Sequence, residues 1–298
     1  MEEFVGAFAA YLRAERNRSA LTVRNYELAL REFRQFRDTL SSPWQWSDVT
    51  ADDLREWLLK MVDEEGKQPA TAGLALSAMR TFFRYLMQTG QVSHNPCAKV
   101  SAPKKDKRLP AFIREGALDC LLDQVAFAPG FIGVRNRFIV LLLYMTGIRR
   151  AEALALKDGD IRLAQRQMLV TGKGDKQRLI PFGPDLEQEL RHYLKARDSA
   201  FGPLPACTPL LLSDKGRPLS AVQFGRIVKD TLAQVTLQQR RSPHVLRHTF
   251  ATTMLNHGAD LQAIQQLLGH KSLETTQIYT HLSFEDLKQE YQRAHPRS

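Results

Sequence analysis

The chain has very little cysteine. Its 298 residues include three, Cys97, Cys120 and Cys207, which are widely separated and match no metal-binding or redox spacing. This excludes the disulfide framework of a small secreted domain and the paired cysteines of a zinc knuckle. We therefore expect free thiols, as in a reducing compartment.

Long apolar runs are also missing. The longest, residues 138–145, is far shorter than the roughly 20 residues that a membrane-spanning helix needs. The chain starts with Met1-Glu2-Glu3, which is acidic where a secretory signal is basic. We therefore predict a cytoplasmic protein with no membrane partner. The phosphate-binding pattern Gly-x-x-x-x-Gly-Lys-[Ser/Thr] is absent too, which argues against a P-loop nucleotide site.

Positive charge, by contrast, is abundant. Lysine and arginine number 42 against 32 aspartate and glutamate, giving a net charge of +10 and a pI near 9.6. Attraction to phosphate is the usual reason for such an excess, so a DNA partner is favoured, although a merely basic protein has the same composition.

Apolar residues recur at helical spacing through the first hundred residues and predict four helices with short connections, a small bundle. A fourth helix is expected to begin near Pro69 and to stop at Gly90. The aromatic stripes are interpreted as core. Polar positions that are candidates for phosphate contact, or equally for a solvated face, are Arg13, Arg16, Arg18, Arg24, Arg80 and Arg84.

Residues 96–110 contain three prolines and a run of cations and break every periodicity. They predict a basic linker between a domain at 1–95 and a second domain at 111–298. Such a strap would follow a phosphate backbone, and a solvated hinge is the alternative.

The second domain is predicted to be mainly α with a small β-sheet, an α+β fold. Strands at 167–171 and 178–181 flank a turn-rich segment and predict a β-hairpin with Lys173 at its tip. Helices are predicted over 114–126, 134–144, 151–156, 185–197, 221–232, 243–256, 260–267 and 273–279.

The last sixty residues bring His244, Arg247, His270 and Tyr279 close together in sequence, and Arg149 lies about a hundred residues upstream. Two guanidiniums can neutralise the charge of a phosphoryl centre without a metal, and the histidines can handle protons. Tyr279 then supplies a nucleophile once its proton is removed.

His244 and His248 are one turn apart, a spacing that can hold zinc. The glutamate of a metalloprotease is missing between them and Arg247 adds a fixed cation, so we expect neither metal nor cofactor. Pro243 begins the helix and places His244 and Arg247 on one face. His248 is expected to orient neighbours or to pack.

These residues resemble the signature boxes of the tyrosine recombinases, in order along the chain. The ending at 291–297 is most similar to the Xer recombinases that resolve chromosome dimers, to XerC more than to XerD. Arg150 stands where this family more often has a small or apolar residue. The segments that carry the resemblance are 146–149 with Glu152 and Leu154, 171–176, 244–252, 267–270 and 275–281.

The resemblance implies an N-terminal four-helix core-binding bundle of the SAM-like type, followed by a tyrosine-recombinase catalytic domain. It also implies a metal-free reaction through a 3′-phosphotyrosyl intermediate. In it Tyr279 attacks, Arg149 and Arg247 stabilise the pentacoordinate phosphorus, Lys173 and His244 exchange protons, and His270 contacts the scissile phosphate. Glu152 either orients Arg149 or lies on an ordinary helix surface.

The implied partners are a double-stranded DNA site, a second related, XerD-like recombinase in a heterotetramer, and possibly a DNA translocase. A mobile-element integrase, a type IB topoisomerase and a non-catalytic DNA-binding protein are the alternatives. Phe284, Leu287 and Tyr291 form an apolar stripe after Tyr279. The resemblance favours insertion of this stripe into a neighbouring protomer, and packing in cis is the alternative.

Overall fold

The structure is a computed structural model that describes residues 2–16, 18–40, 43–103, 112–172, 174–236, 241–269 and 283–298. The chain forms two compact units, Met1–Arg108 and Leu109–Ser298. The expected fold class is confirmed, since helices predominate and three short strands form a single antiparallel sheet in the described part of the second unit. Among the described helices, none combines the length and the apolar character needed to cross a bilayer.

The first unit contains four α-helices: α1 (Glu2–Ala14), α2 (Ala20–Leu40), α3 (Ala51–Leu59) and α4 (Pro69–Gln88). Thr50 begins α3 with a capping box, accepting from the Asp53 backbone N–H while the Asp53 carboxylate accepts from the Thr50 N–H. The aromatic stripes form the core, as predicted. Phe33 illustrates this, since it packs edge-on against Trp57 with ring centroids 5.1 Å apart.

The start of the predicted linker belongs to this unit instead of leaving it. Pro96–Lys99 is a short 3₁₀ helix, and Cys97 and Val100 are buried in the unit's core. Arg80 donates to the Val100 carbonyl oxygen, so this candidate for phosphate contact has a structural role. Burial of two apolar side chains explains why the chain turns back here. Residues 104–110 of the linker, and residue 111 after it, lie outside the described part of the chain.

The second unit contains eight described α-helices. Residues 138–145 are buried on all sides within α6, which is why they read as a continuous apolar run. The helices are α5 (Glu115–Asp123), α6 (Phe131–Thr146), α7 (Arg150–Ala155), α8 (Pro184–Phe201), α9 (Ala221–Leu232), α10 (Pro243–Asn256), α11 (Leu261–Leu268) and α12 (Phe284–Ala294).

The sheet has the order β1 (Ile161–Arg162), β2 (Gln167–Thr171) and β3 (Gln177–Pro181). Strands β2 and β3 form the predicted hairpin, and Met168 pairs with Ile180 and Val170 with Arg178. Because side chains alternate along a strand, Arg178 lies on the same face of the sheet as the buried Ile180. The register therefore directs an arginine toward the interior.

The C-terminal helix packs on its own unit in this single chain, which corresponds to the cis alternative; its insertion into a neighbouring protomer stays a prediction. Leu287, Tyr291 and Ala294 of α12 are buried in a cluster with side chains of α10 and α11. After α12, Arg297 forms ion pairs with Asp119, Asp123 and Asp185. The apolar stripe predicts burial, and here α10 and α11 provide the surface that buries it.

His295 follows α12 and is also buried, with 3% of its surface exposed. Its ring stacks on Tyr291 with centroids 5.3 Å apart and lies 5.7 Å from Phe250. Burial lowers the pKa of His295 to about 4; the Tyr144 carbonyl opposes this shift, whereas the nearby His257 and Arg297 add to it.

Replacing Tyr291 by alanine should lower the free energy of unfolding by about 3–5 kcal/mol, the cost of deleting a large aromatic side chain from a core. Tyr291 is 1% exposed, whereas Gln289 of the same helix is exposed and provides the matched control Gln289→Ala. Urea unfolding of both variants measures the difference. Equal stability of the two variants would contradict cis packing of α12.

The His295 environment predicts a pH-dependent stability. In the unfolded chain the imidazole takes up a proton near its ordinary pKa of 6.5, whereas the folded chain does so only near 4. Stability from this group is therefore complete above pH 6.5 and is lost as the pH falls toward 4. Between about pH 7.5 and about pH 5 the loss should be about 2 kcal/mol.

The matched variant His295→Gln removes the titrating group but keeps a donor and an acceptor. Urea unfolding at several pH values should therefore show a steeper loss of stability on acidification for the parent protein than for His295→Gln. Parallel pH profiles of the two proteins would show that His295 does not titrate with folding.

Candidate active site

The site is assembled at the end of α11. A helix leaves its last carbonyl oxygens without partners within the helix, and the negative end of its dipole attracts cations. Here three successive carbonyl oxygens each accept a hydrogen bond from a different arginine. The pairs are Arg178 Nε to Leu267 O (2.8 Å), Arg247 Nη2 to Leu268 O (2.6 Å) and Arg149 Nη2 to Gly269 O (3.0 Å).

Two glycines allow the chain to bring these groups together. Gly147 ends α6 with φ 60° and Gly269 ends α11 with φ 64°, both in the left-handed region. A Cβ atom at position 147 would lie 2.5 Å from Cδ1 of Phe250, so α6, α10 and α11 approach closely only with glycine there. The carbonyl oxygen of Gly147 accepts from Arg247 Nη1 at 2.6 Å.

Arg149 immediately precedes α7 and is held from both ends. Its backbone N–H donates to Glu152 Oε2 and its Nη1 to Glu152 Oε1, both at 2.8 Å, while Nη2 reaches the Gly269 carbonyl. Glu152 therefore orients Arg149, the first of the two alternatives that the sequence left open. The Arg149 side chain is 39% exposed, so it remains accessible to a ligand.

Arg247 is 9% exposed and lies on α10. Burial is the main cause that lowers its pKa, to about 10, and the positive charge of Arg149 lowers it further, while Glu152 raises it. The guanidinium remains charged at neutral pH. Its two described anchors are neutral carbonyl oxygens, which use two of its five N–H groups and leave its charge unneutralised.

Arg178 is the residue that the sequence reading missed. It donates Nη1 and Nη2 to the two oxygens of Glu152 at 3.1 and 2.9 Å, a two-pronged ion pair, and is 15% exposed. Its position on β3, two residues before the inward-facing Ile180, could have indicated that its side chain also points inward.

Glu152 is 5% exposed and is the shared acceptor of this array. Burial raises the pKa of its carboxyl group, but the hydrogen bonds from Arg178 and Arg149 outweigh that effect and hold the pKa below its usual range. The array thus contains three guanidiniums and one carboxylate in the described part of the chain. The excess of positive charge suits a phosphodiester with its negative oxygens.

The remaining predicted site residues fall into two groups. His244 is exposed in the first turn of α10, one turn before Arg247, and Pro243 occupies the predicted first helical position. His248 is half-buried. Lys173, His270 and Tyr279 lie outside the described residues, as does the helix predicted over 273–279.

The described neighbours of Lys173 and His270 nevertheless border the array. A Cβ atom at Gly172 would lie 3.5 Å from Glu152 Oε1, and one at Gly269 would lie 3.1 Å from Arg178 Nη1. The chain therefore enters both segments beside the Arg178–Glu152 pair.

Arg150 and the question of a metal site complete the account of the sequence candidates. Arg150 is exposed, and its Nη1 lies 3.8 Å from the position of a Cβ atom on Gly225 of α9. No cluster of three or more His, Cys, Asp or Glu side chains suited to a metal ion occurs among the residues that the structure describes.

Comparisons with known proteins identify two regions of family similarity. The model of the phage integrase family matches residues 113–286, and the model of the phage integrase N-terminal SAM-like domain matches residues 5–90. Tyrosine recombinase XerC of Bacillus pumilus is 37% identical over 300 residues, covering 100% of this chain and 97% of that protein. Tyrosine recombinase XerC of Alcanivorax borkumensis is 38% identical over 294 residues, covering 99% and 94%.

A solved structure of the XerH site-specific recombinase bound to difH substrate, a pre-cleavage complex, has a similar fold. Its TM-score is 0.68 with 26% identity, over 92% of this chain and 80% of that one. Since the family model covers more than half of the chain and the relatives cover nearly all of it, the chain belongs to the phage integrase family of tyrosine recombinases, enzymes that break and rejoin DNA strands.

Proposed function

We propose that this chain is a site-specific recombinase of the Xer type that resolves chromosome dimers. The observation that carries the proposal is the arginine array. Arg149 and Arg247 are fixed by the carbonyl oxygens of Gly269 and Leu268, and Arg247 has no carboxylate among its described hydrogen-bond acceptors. Arg149 also pairs with Glu152, but the described array holds three guanidiniums against that one carboxylate and so keeps a net positive charge. Rigid cations in such excess suit a phosphoryl group that gains charge during transfer.

In the proposed reaction Tyr279 attacks the scissile phosphorus, so that a tyrosine–phosphorus bond forms and the bond to the 5′ oxygen breaks. Lys173 donates a proton to the departing 5′ oxygen, and His244 accepts the phenolic proton of Tyr279. His270 hydrogen-bonds the phosphate. A 5′ hydroxyl of the partner strand then attacks the phosphotyrosyl bond, which releases Tyr279 and rejoins the DNA without ATP.

The geometry of the arginines supports the roles proposed for them. A guanidinium offers a planar fork of donors, so one edge can bind a carbonyl oxygen while another faces a phosphate oxygen. Arg149 is the more exposed of the two and Arg247 the more buried. Both should contact the non-bridging oxygens in the pentacoordinate state.

We further propose a DNA recombination site as the substrate and a second, XerD-like recombinase as the partner in a heterotetramer, with a DNA translocase as a further candidate partner. The support is the similarity of the full chain to proteins named XerC. Sequencing of genomic fragments captured by the protein would identify the site. A gel shift with this chain and the related recombinase would then test for cooperative binding.

Replacing Tyr279 by phenylalanine should abolish covalent attachment to DNA, because the lost hydroxyl is the nucleophile, and should leave duplex binding nearly unchanged. The measurement uses a nicked suicide duplex that carries the captured site, on which a protein–DNA adduct survives denaturation. An adduct formed by Tyr279→Phe would show that another residue attacks.

Replacing Arg247 by alanine should slow adduct formation at least about a hundredfold, as expected for loss of a transition-state charge contact. Arg247→Lys should also be slow, since a lysine keeps the charge but cannot bind both the Gly147 and Leu268 carbonyls as a fork. The rates are measured in single turnover with excess chelator, with binding and melting temperature as controls. Folded, DNA-bound variants that cleave at the parent rate would contradict the assignment.

A further inference from the structure

Arg178 joins the three parts of the site that the mechanism uses. Its guanidinium binds both oxygens of Glu152, and its Nε binds the Leu267 carbonyl at 2.8 Å. Its own strand, β3, is one arm of the hairpin whose other arm leads to Lys173. One side chain thus links the Arg149 segment, the hairpin and the end of α11.

The contacts of Glu152 are divided evenly between two arginines. Oε1 accepts from Arg149 Nη1 at 2.8 Å and from Arg178 Nη1 at 3.1 Å, and Oε2 accepts from the Arg149 backbone at 2.8 Å and from Arg178 Nη2 at 2.9 Å. Arg178 therefore fixes the plane of the carboxylate. Its positive charge also offsets part of the negative charge of Glu152, which would otherwise be neutralised by Arg149 alone.

A contribution to folding stability does not by itself explain the Arg178–Glu152 ion pair. A buried ion pair often contributes little to folding, because desolvation of the two charges offsets their attraction. The Arg178 guanidinium is also enclosed on the side of Gly269, where an added Cβ atom would lie 3.1 Å from Nη1, and the side chain is 15% exposed. Such enclosure restricts the guanidinium to one orientation, as positioning requires.

We propose that Arg178 is a positioning residue for cleavage: through Glu152 and the Leu267 carbonyl it holds Arg149 and the Gly269 carbonyl in the geometry that receives the scissile phosphate. This rests on the proposed function of Arg149. Without Arg178, Glu152 is free to rotate and to form a closer pair with Arg149, which withdraws charge and donors from the phosphate. A shift of about 1 Å in such a group can slow a reaction about a hundredfold.

The test is a double-mutant cycle on the nicked suicide duplex carrying the captured site. Arg178→Met keeps the length of the side chain and removes its donors. It should slow adduct formation about 10- to 100-fold while half-site binding is retained. Arg178→Lys, which keeps charge but loses the fork, should give an intermediate rate. The control, Arg191→Met, removes an exposed Arg–Glu pair of 2.8 Å from α8 and should cleave at the parent rate.

The cycle uses Arg149→Lys as the second background. If Arg178 acts through Arg149, Arg178→Met should cost much less in that background than in the parent, because the group it positions is already altered. Equal losses in the two backgrounds would show a general structural effect and overturn the proposal. Should Arg178→Met fail to fold, the same cycle is decided with Arg178→Lys.

The outcomes separate the two proposals. A parent-like rate for Arg149→Lys and Arg149→Ala would refute the proposed function of Arg149 itself. A slow Arg149→Lys together with a parent-like, folded Arg178→Met would refute only the positioning role of Arg178.

Discussion

Three arginines bind three successive carbonyl oxygens at the end of α11, and the candidate active site depends on that contact. Guanidiniums this close also repel one another: burial is the main cause of the lowered pKa of Arg247, and the charges of Arg149 and Arg178 lower it further. Neutral oxygens at the negative end of a helix can hold cations without cancelling their charge, whereas carboxylates would cancel it. The one carboxylate of the described array, Glu152, offsets only part of the charge of the three arginines, so the site keeps a positive potential that suits a phosphodiester.

The C-terminal helix α12 packs against the same end of α11. An eight-residue helix such as α11 is not stable alone, and it needs tertiary packing on its apolar side. Leu267 and Leu268 supply side chains to the cluster that contains Leu287 and Tyr291, while their carbonyl oxygens face arginines. Helix α12 thus packs on the side chains at the end of α11, while the arginines bind the carbonyl oxygens there.

Much of this arrangement could be predicted from local sequence signals. Helices α9 and α10 were predicted with their observed bounds, and Pro243 at the first helical position marked the start of α10. Strand β1 was not predicted because two residues carry no periodicity. Arg178 was missed because a sheet register, not a spacing in sequence, brings it to Glu152. The stripe on α12 predicts burial, but the identity of the covering surface is a long-range property.

Because the cations of the site are held by backbone carbonyl oxygens, few side chains can replace the arginines. Each arginine must bind a carbonyl oxygen and keep other N–H groups available to a ligand. The planar fork of a guanidinium can do both, whereas the ammonium group of lysine is a single point of charge. At positions 267 and 268, by contrast, the arginines bind only the backbone carbonyl groups, which every residue provides. The side chains there are therefore constrained by the volume of the core with α12, not by the chemistry at phosphorus.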